Sequence, residues 1–208
     1  MTIRNTRAAS IAALAGILAL GLAACSQQQA EPAAAAEPRM PYKPDASIQD
    51  LMVNVVDHNA DTLWESVAVI SSEKGTEERQ PRTDEDWAAV RVAAITLSEG
   101  ANLLMIPGRK VVHEGKVLQD AEVEGILKAE QIQALIDKDR VAFASRALAL
   151  HQAALGALAA IDAKDAAKLS EVGGVIDEAC EECHTTYWYP NQKGPSADAA
   201  TADAAKKQ

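Results

Sequence analysis

The 208-residue chain sets 30 acidic against 20 basic side chains, a formal charge of −10, which excludes a polyanion such as nucleic acid as its natural partner. Aromatic residues make up only 3%, β-branched runs are short, and alanine, leucine, glutamate and lysine dominate. That balance excludes a large sheet and favours a single all-α domain with tails.

Arg4 and Arg7 precede an apolar run at 11–24 of about 14 residues, short of the ~20 that span a bilayer as a helix. Residues 1–24 therefore read as a secretory signal peptide. Its removal takes both arginines away and leaves the remainder about two units more acidic. The "LAAC" that follows, at 22–25, resembles the lipobox of bacterial lipoproteins. The resemblance implies lipidation of Cys25, attachment to a bacterial membrane from the periplasmic side, and, with Ser26 rather than aspartate next, a lean towards the outer membrane. The other reading is ordinary cleavage near Ala24 with Cys25 as a stray thiol, although unpaired thiols are uncommon in exported proteins. Residues 25–46, rich in Gln, Ala and Pro without periodicity, read as a lipid-anchored flexible linker.

Four amphipathic stretches are predicted within 47–188. The first opens at "SIQD", a capping-box pattern of Ser47 and Asp50, and runs to about residue 71, with Ile48, Leu51, Met52, Val55, Val56, Leu63, Val67 and Ile70 near one stripe. The polar "SSEKGTEERQP" ends it. The second starts at "TDED", 83–86, carries Trp87, Val90, Ala94, Leu97, Ala101 and Leu104 at alternating spacings of three and four, and is stopped by Pro107 and Gly108. Residues 109–125 lack a helical period, and their "VVHEGKV" suggests a short hairpin or an ordered loop. The third stretch spans about 129–161. The fourth runs from about 165 to 187 after the tight polar link "DAKD", and 189–208 reads as a disordered tail. Four helices with short links predict an antiparallel up-down-up-down four-helix bundle.

The chemistry sits in the fourth stretch. Cys180, Cys183 and His184 form C-x-x-C-H, the pattern of covalent c-type haem attachment. At ~100° per residue the two cysteines lie about 60° apart and His184 within roughly 40° of Cys180, so all three leave one helix face. Two thiols can then add to two vinyl groups with an imidazole beneath the iron. A structural zinc site wants a second ligand pair, a thioredoxin-like C-x-x-C wants a βαβ setting, and a disulfide between these cysteines would strain a helix. Gly173 and Gly174 interrupt an otherwise helical run at a cost of about 1 kcal/mol each relative to alanine. The missing side chain at Gly173 would admit a neighbouring helix or the haem edge, or else mark a bend.

In such a bundle the first helix starts where the fourth ends. Met52, about a turn and a half into the first, then lies at the height of His184 and becomes the expected distal iron ligand. Met105, near the end of the second helix, and His113, in the following loop, are alternative ligands. His58 should face away, and His151 should be a surface or core-edge histidine.

The leading "LM" at 51–52, the four-helix pattern and the C-terminal "CEECHTTYW" resemble the class II c-type cytochromes, cytochrome c-prime and its methionine-ligated low-spin relatives, over about 47–188. The resemblance implies one covalent haem c near one end of the bundle, His184 as proximal and Met52 as distal iron ligand. The family often continues C-x-x-C-H-x-x-Y-R. Here Tyr187 fits the pattern as a haem-contacting residue, but Trp188 replaces the arginine, leaving Arg109 either as the substitute partner of the haem propionates or as a counter-charge to a helix dipole. The function implied is electron transfer rather than enzymatic catalysis; the acidic charge points to redox protein partners with a basic docking face or serves only solubility, and a homodimer is one self-association left open. Two rivals stay open: a pentacoordinate protein binding nitric oxide or carbon monoxide, and a haem-free helical scaffold lipoprotein.

Overall fold

A computed structural model describes residues 42–192. The signal peptide 1–24, Cys25 and most of the linker lie outside the described residues, as does 193–208. The described part is mostly helical with one small two-stranded sheet, in the order α1 (Ile48–Leu51), a π-helical segment (Met52–Asp57), α2 (His58–Ser66), β1 (Val69–Ser72), β2 (Gly75–Glu78), α3 (Asp84–Leu104), α4 (Ala129–Lys138), α5 (Arg140–Asp162) and α6 (Ala166–Tyr187).

Both expected helix starts are capping boxes. The Asp50 amide donates to Ser47 Oγ at 3.1 Å while the Ser47 amide donates to Asp50 Oδ2 at 2.8 Å, and Thr83 and Asp86 repeat the exchange. Each box satisfies amides that a helix N-terminus leaves without a partner.

Three expectations are corrected. The first helical run ends at Ser66, and Val69 to Glu78 form an antiparallel hairpin pairing Val69 with Glu78 and Ser72 with Gly75. Gly75 turns it at φ +121, a conformation side-chain-bearing residues avoid. Val67 and Ile70 therefore leave the helical stripe. Residues 109–125 hold turns, the ordered-loop alternative rather than the hairpin. The expected third helix is two, broken at Asp139 (φ −144, ψ 80), whose carboxylate accepts the Ala142 amide at 2.9 Å. An aspartate that caps the next helix cannot continue the previous one. At the other end, Tyr189 to Gln192 belong to the fold rather than the tail: the Tyr189 hydroxyl donates to Glu181 at 2.6 Å and Gln192 to the Glu124 carbonyl at 2.9 Å.

α3 packs on α5, α5 on α6, and α2 on both α3 and α6. Cross-links rise in number along one helix as they fall along the other. Arg91 pairs with Asp162, the Ser98 carbonyl meets His151, and the Met105 carbonyl meets Arg140, so α3 and α5 are antiparallel. Arg146 with Glu182 and Phe143 with Tyr187 say the same of α5 and α6. The core between them includes Leu63, Leu97, Leu169 and Ile176. Leu97→Ala should cost about 2–5 kcal/mol, because its side chain is wholly buried at 0% exposure and the helices around it cannot collapse freely. A urea titration of the purified protein measures it.

Candidate functional site

α6 runs unbroken through C-x-x-C-H to Tyr187. Its end tightens on His184, whose carbonyl accepts the amides of Trp188 at 2.7 Å and Tyr189 at 3.0 Å. Cys180 and Cys183 are free thiols, partly exposed. They line one cavity of about 290 Å³ together with His184, and Met52 lines it from the opening helical run. A void of about 30 Å³ adjoins it on one side and a hollow of about 330 Å³ on another. Met52 and His184 border all three. Apolar side chains, among them Val56, Leu104, Ala147 and Leu150, form most of the main cavity's wall.

Burial sets the electrostatics. It pushes the Cys180 thiol up to about 12, with the neighbouring Cys183 and nearby acids adding to it, and the Cys183 thiol to about 11 despite the Arg146 guanidinium. Both sulfurs are thus neutral thiols at physiological pH. Burial also lowers His184, against the pull of Glu181, Asp120 and Asp57, which keeps the imidazole neutral and able to donate a lone pair.

Because the folded thiols ionise only at higher pH than unfolded ones, their contribution to stability is complete below pH ~9 and is lost as pH rises through 11–12. Urea midpoints of the haem-free thiol form should fall across that window more steeply than those of a Cys180→Ser/Cys183→Ser variant. Parallel curves for the two proteins would refute it.

The remaining expected residues separate. Tyr187 is buried, stacks edge-on to Phe143 at 5.3 Å between centroids, and borders the small void with Cys183 and His184. Arg109 does not line the cavity. It is 3% exposed, its Nε donates to the Leu103 carbonyl at 2.9 Å and its Nη1 to the Ala46 carbonyl, so it serves the C-terminus of α3 as the dipole reading has it. Met105 caps α3 outside the cavity lining. His113 is bound by its Nε2 to Asp50 at 2.7 Å and lines a separate hollow with Lys110 and Gln133. His58 is exposed, and His151 sits half-buried with its Nδ1 3.1 Å from the Ser98 carbonyl. Gly173 admits a neighbouring helix: Trp64 Nε1 donates to its carbonyl at 2.9 Å, and a Cβ there would meet Trp64 Cδ1 at 3.1 Å.

Sequence reasoning missed Arg146, Trp64, Asp57, Asp177 and Glu181 on the cavity wall. Arg146 carried a signal, a charge between Phe143 and Leu150 on the apolar stripe of α5. The carboxylates carried none.

The donor set suits a covalently held haem. Two adjacent neutral thiols, a neutral imidazole and a thioether open on one apolar cavity, with a guanidinium in the wall. Among the described residues no three or more His, Cys, Asp or Glu side chains are grouped to hold a metal ion, so a tetrahedral zinc site has no assembled ligand set there. Comparison of the chain with protein-family models, curated proteins and solved structures gives no match.

Proposed function

We propose that the chain carries single electrons through a covalently attached haem c, seated near one end of an antiparallel four-helix bundle made of the opening helical run, α3, α5 and α6. The observation that carries this reading is the convergence of His184 and Met52 on the same cavity as the two thiols of C-x-x-C-H. When bound, the haem supplies an iron that accepts or releases one electron.

The protein's part is to hold that group and limit what changes around it. Cys180 and Cys183 provide the sulfurs for two thioether links. His184 offers a neutral nitrogen and Met52 a neutral sulfur, so neither donor gains or loses a proton near neutral pH, and methionine on one side raises the potential relative to two histidines. Arg146, which lines the cavity and is already paired with Glu182, suits a carboxylate better than the enclosed Arg109. Apolar neighbours make up most of the wall around both donors and lower the polarity there.

The same reading makes the protein a periplasmic lipoprotein anchored through Cys25, exchanging electrons with proteins that present a basic face, drawn by a charge about two units more negative than the −10 of the full chain. The test is expression in a bacterium with a c-type cytochrome maturation system. The purified protein should be red, keep its haem stain through denaturing electrophoresis, and show a low-spin ferric spectrum with the weak far-red band of methionine ligation. Colourless protein after competent maturation refutes the reading.

A further inference from the structure

The opening helical run is continuous from Ile48 to Ser66 but changes its hydrogen-bond register at Met52–Asp57, which is π-helical. Such i→i+5 turns are rare and locally unfavourable, so something must hold them. In an uninterrupted α-helix, Leu51 and Ala60, nine residues apart, would face about 180° away from each other at ~100° per residue. Both are buried, at 4% and 1% exposure. An i→i+5 turn takes up one residue more than an i→i+4 turn, which swings whatever precedes it by about one residue's ~100°. That swing seats Ile48 and Leu51 in the core and leaves Met52 half-buried at its edge, on the cavity shared with His184.

Two features hold the wide turn. Gly100, buried near the C-terminal end of α3, leaves the space it needs: a Cβ there would lie 2.9 Å from Val55 Cγ1 and 3.6 Å from Val56 Cγ2. A helix-interior glycine costs about 1 kcal/mol relative to alanine, and the close approach of the π-helical backbone is the reason for it here. Valine is stiff at χ1 in a helix, so Val55 cannot simply turn aside. Side-chain amides also attend the register change. Asn54 Nδ2 donates to the Asp50 carbonyl at 2.9 Å and Asn59 Nδ2 to the Val55 carbonyl at 2.7 Å. These carbonyls lie four residues back, where α-helical amides would otherwise donate.

We infer that Gly100, assisted by Asn54 and Asn59, is a positioning residue for Met52: by holding Met52–Asp57 in its π-helical register it turns the thioether towards the cavity. The inference rests on the haem reading for its purpose, but the register has its own readout. Gly100→Ala in the matured, full-length protein should push on Val55, convert i→i+5 hydrogen bonds in 52–57 to i→i+4, and reduce the far-red methionine band by at least half while the covalent haem stain stays. Gly100→Ala/Val55→Ala removes the clashing methyl and should restore both the register and the band. Through-hydrogen-bond NMR couplings report the register whether or not haem is present.

A single variant that keeps both band and register overturns the inference, as does a double variant that restores neither. If the single variant fails to fold, a folded double variant supports the contact, and an unfolded one overturns it. Wild-type protein without haem would remove the electron-carrier reading, and the couplings alone would then decide whether Gly100 sets the direction of Met52.

Discussion

Met52→Ala is expected to convert a low-spin ferric spectrum into a high-spin one and to let carbon monoxide bind the reduced protein. Met52 shares with His184 every cavity that His184 borders. Its neighbours there Val53, Val56, Ala60 and Leu104 carry no donor atom, and no histidine besides His184 and no methionine besides Met52 lines the cavity. Met105 is outside the cavity lining, and the His113 ring is held by Asp50 at the far side of the capping box. The potential should fall with the loss of sulfur ligation. Stability should fall by less than the ~2–5 kcal/mol of a fully buried methionine, because this side chain is only half-buried. An unchanged spectrum would show that Met52 merely packs against the site and would turn the protein towards the gas-binding reading.

Cys180→Ala/Cys183→Ala is expected to abolish the haem stain on a denaturing gel, and each single substitution to weaken it only in part. Both thiols face the same cavity from one uninterrupted helix, so either can form a link without the other. Both are protonated at physiological pH because burial holds them well above the ordinary thiol range. A stain that survives the double substitution would mean attachment elsewhere. Metal analysis that finds zinc in place of iron would sink the haem reading entirely.

The helix starts at Ser47 and Thr83 and the shared face of Cys180, Cys183 and His184 were legible in the sequence because each depends on residues a turn apart or less. The pairing of Met52 with the far end of the last helix was legible from chain direction and length alone. The π-helical segment was not, since an apolar stripe spaced at threes and fours absorbs one extra residue without a visible break. The break at Asp139 was missed because its neighbours Ile136 and Phe143 keep the apolar rhythm across it, while the cap that interrupts the helix is a single carboxylate. Arg146 on the cavity wall was missed for another reason. Where a long cation ends depends on which carbonyls and cavities the finished packing brings within reach, and no local pattern encodes that.

The junction at the head of the first helix has a mechanical consequence. Arg109 grips the Ala46 carbonyl, the Ile48 and Gln49 amides donate to the carbonyls of Lys110 and Val111 at 2.8 and 3.0 Å, and the Ser47–Asp50 box closes the turn. Any tug on the polypeptide upstream is thus taken by a strain relief three to six residues ahead of Met52, which leaves the thioether's aim unloaded.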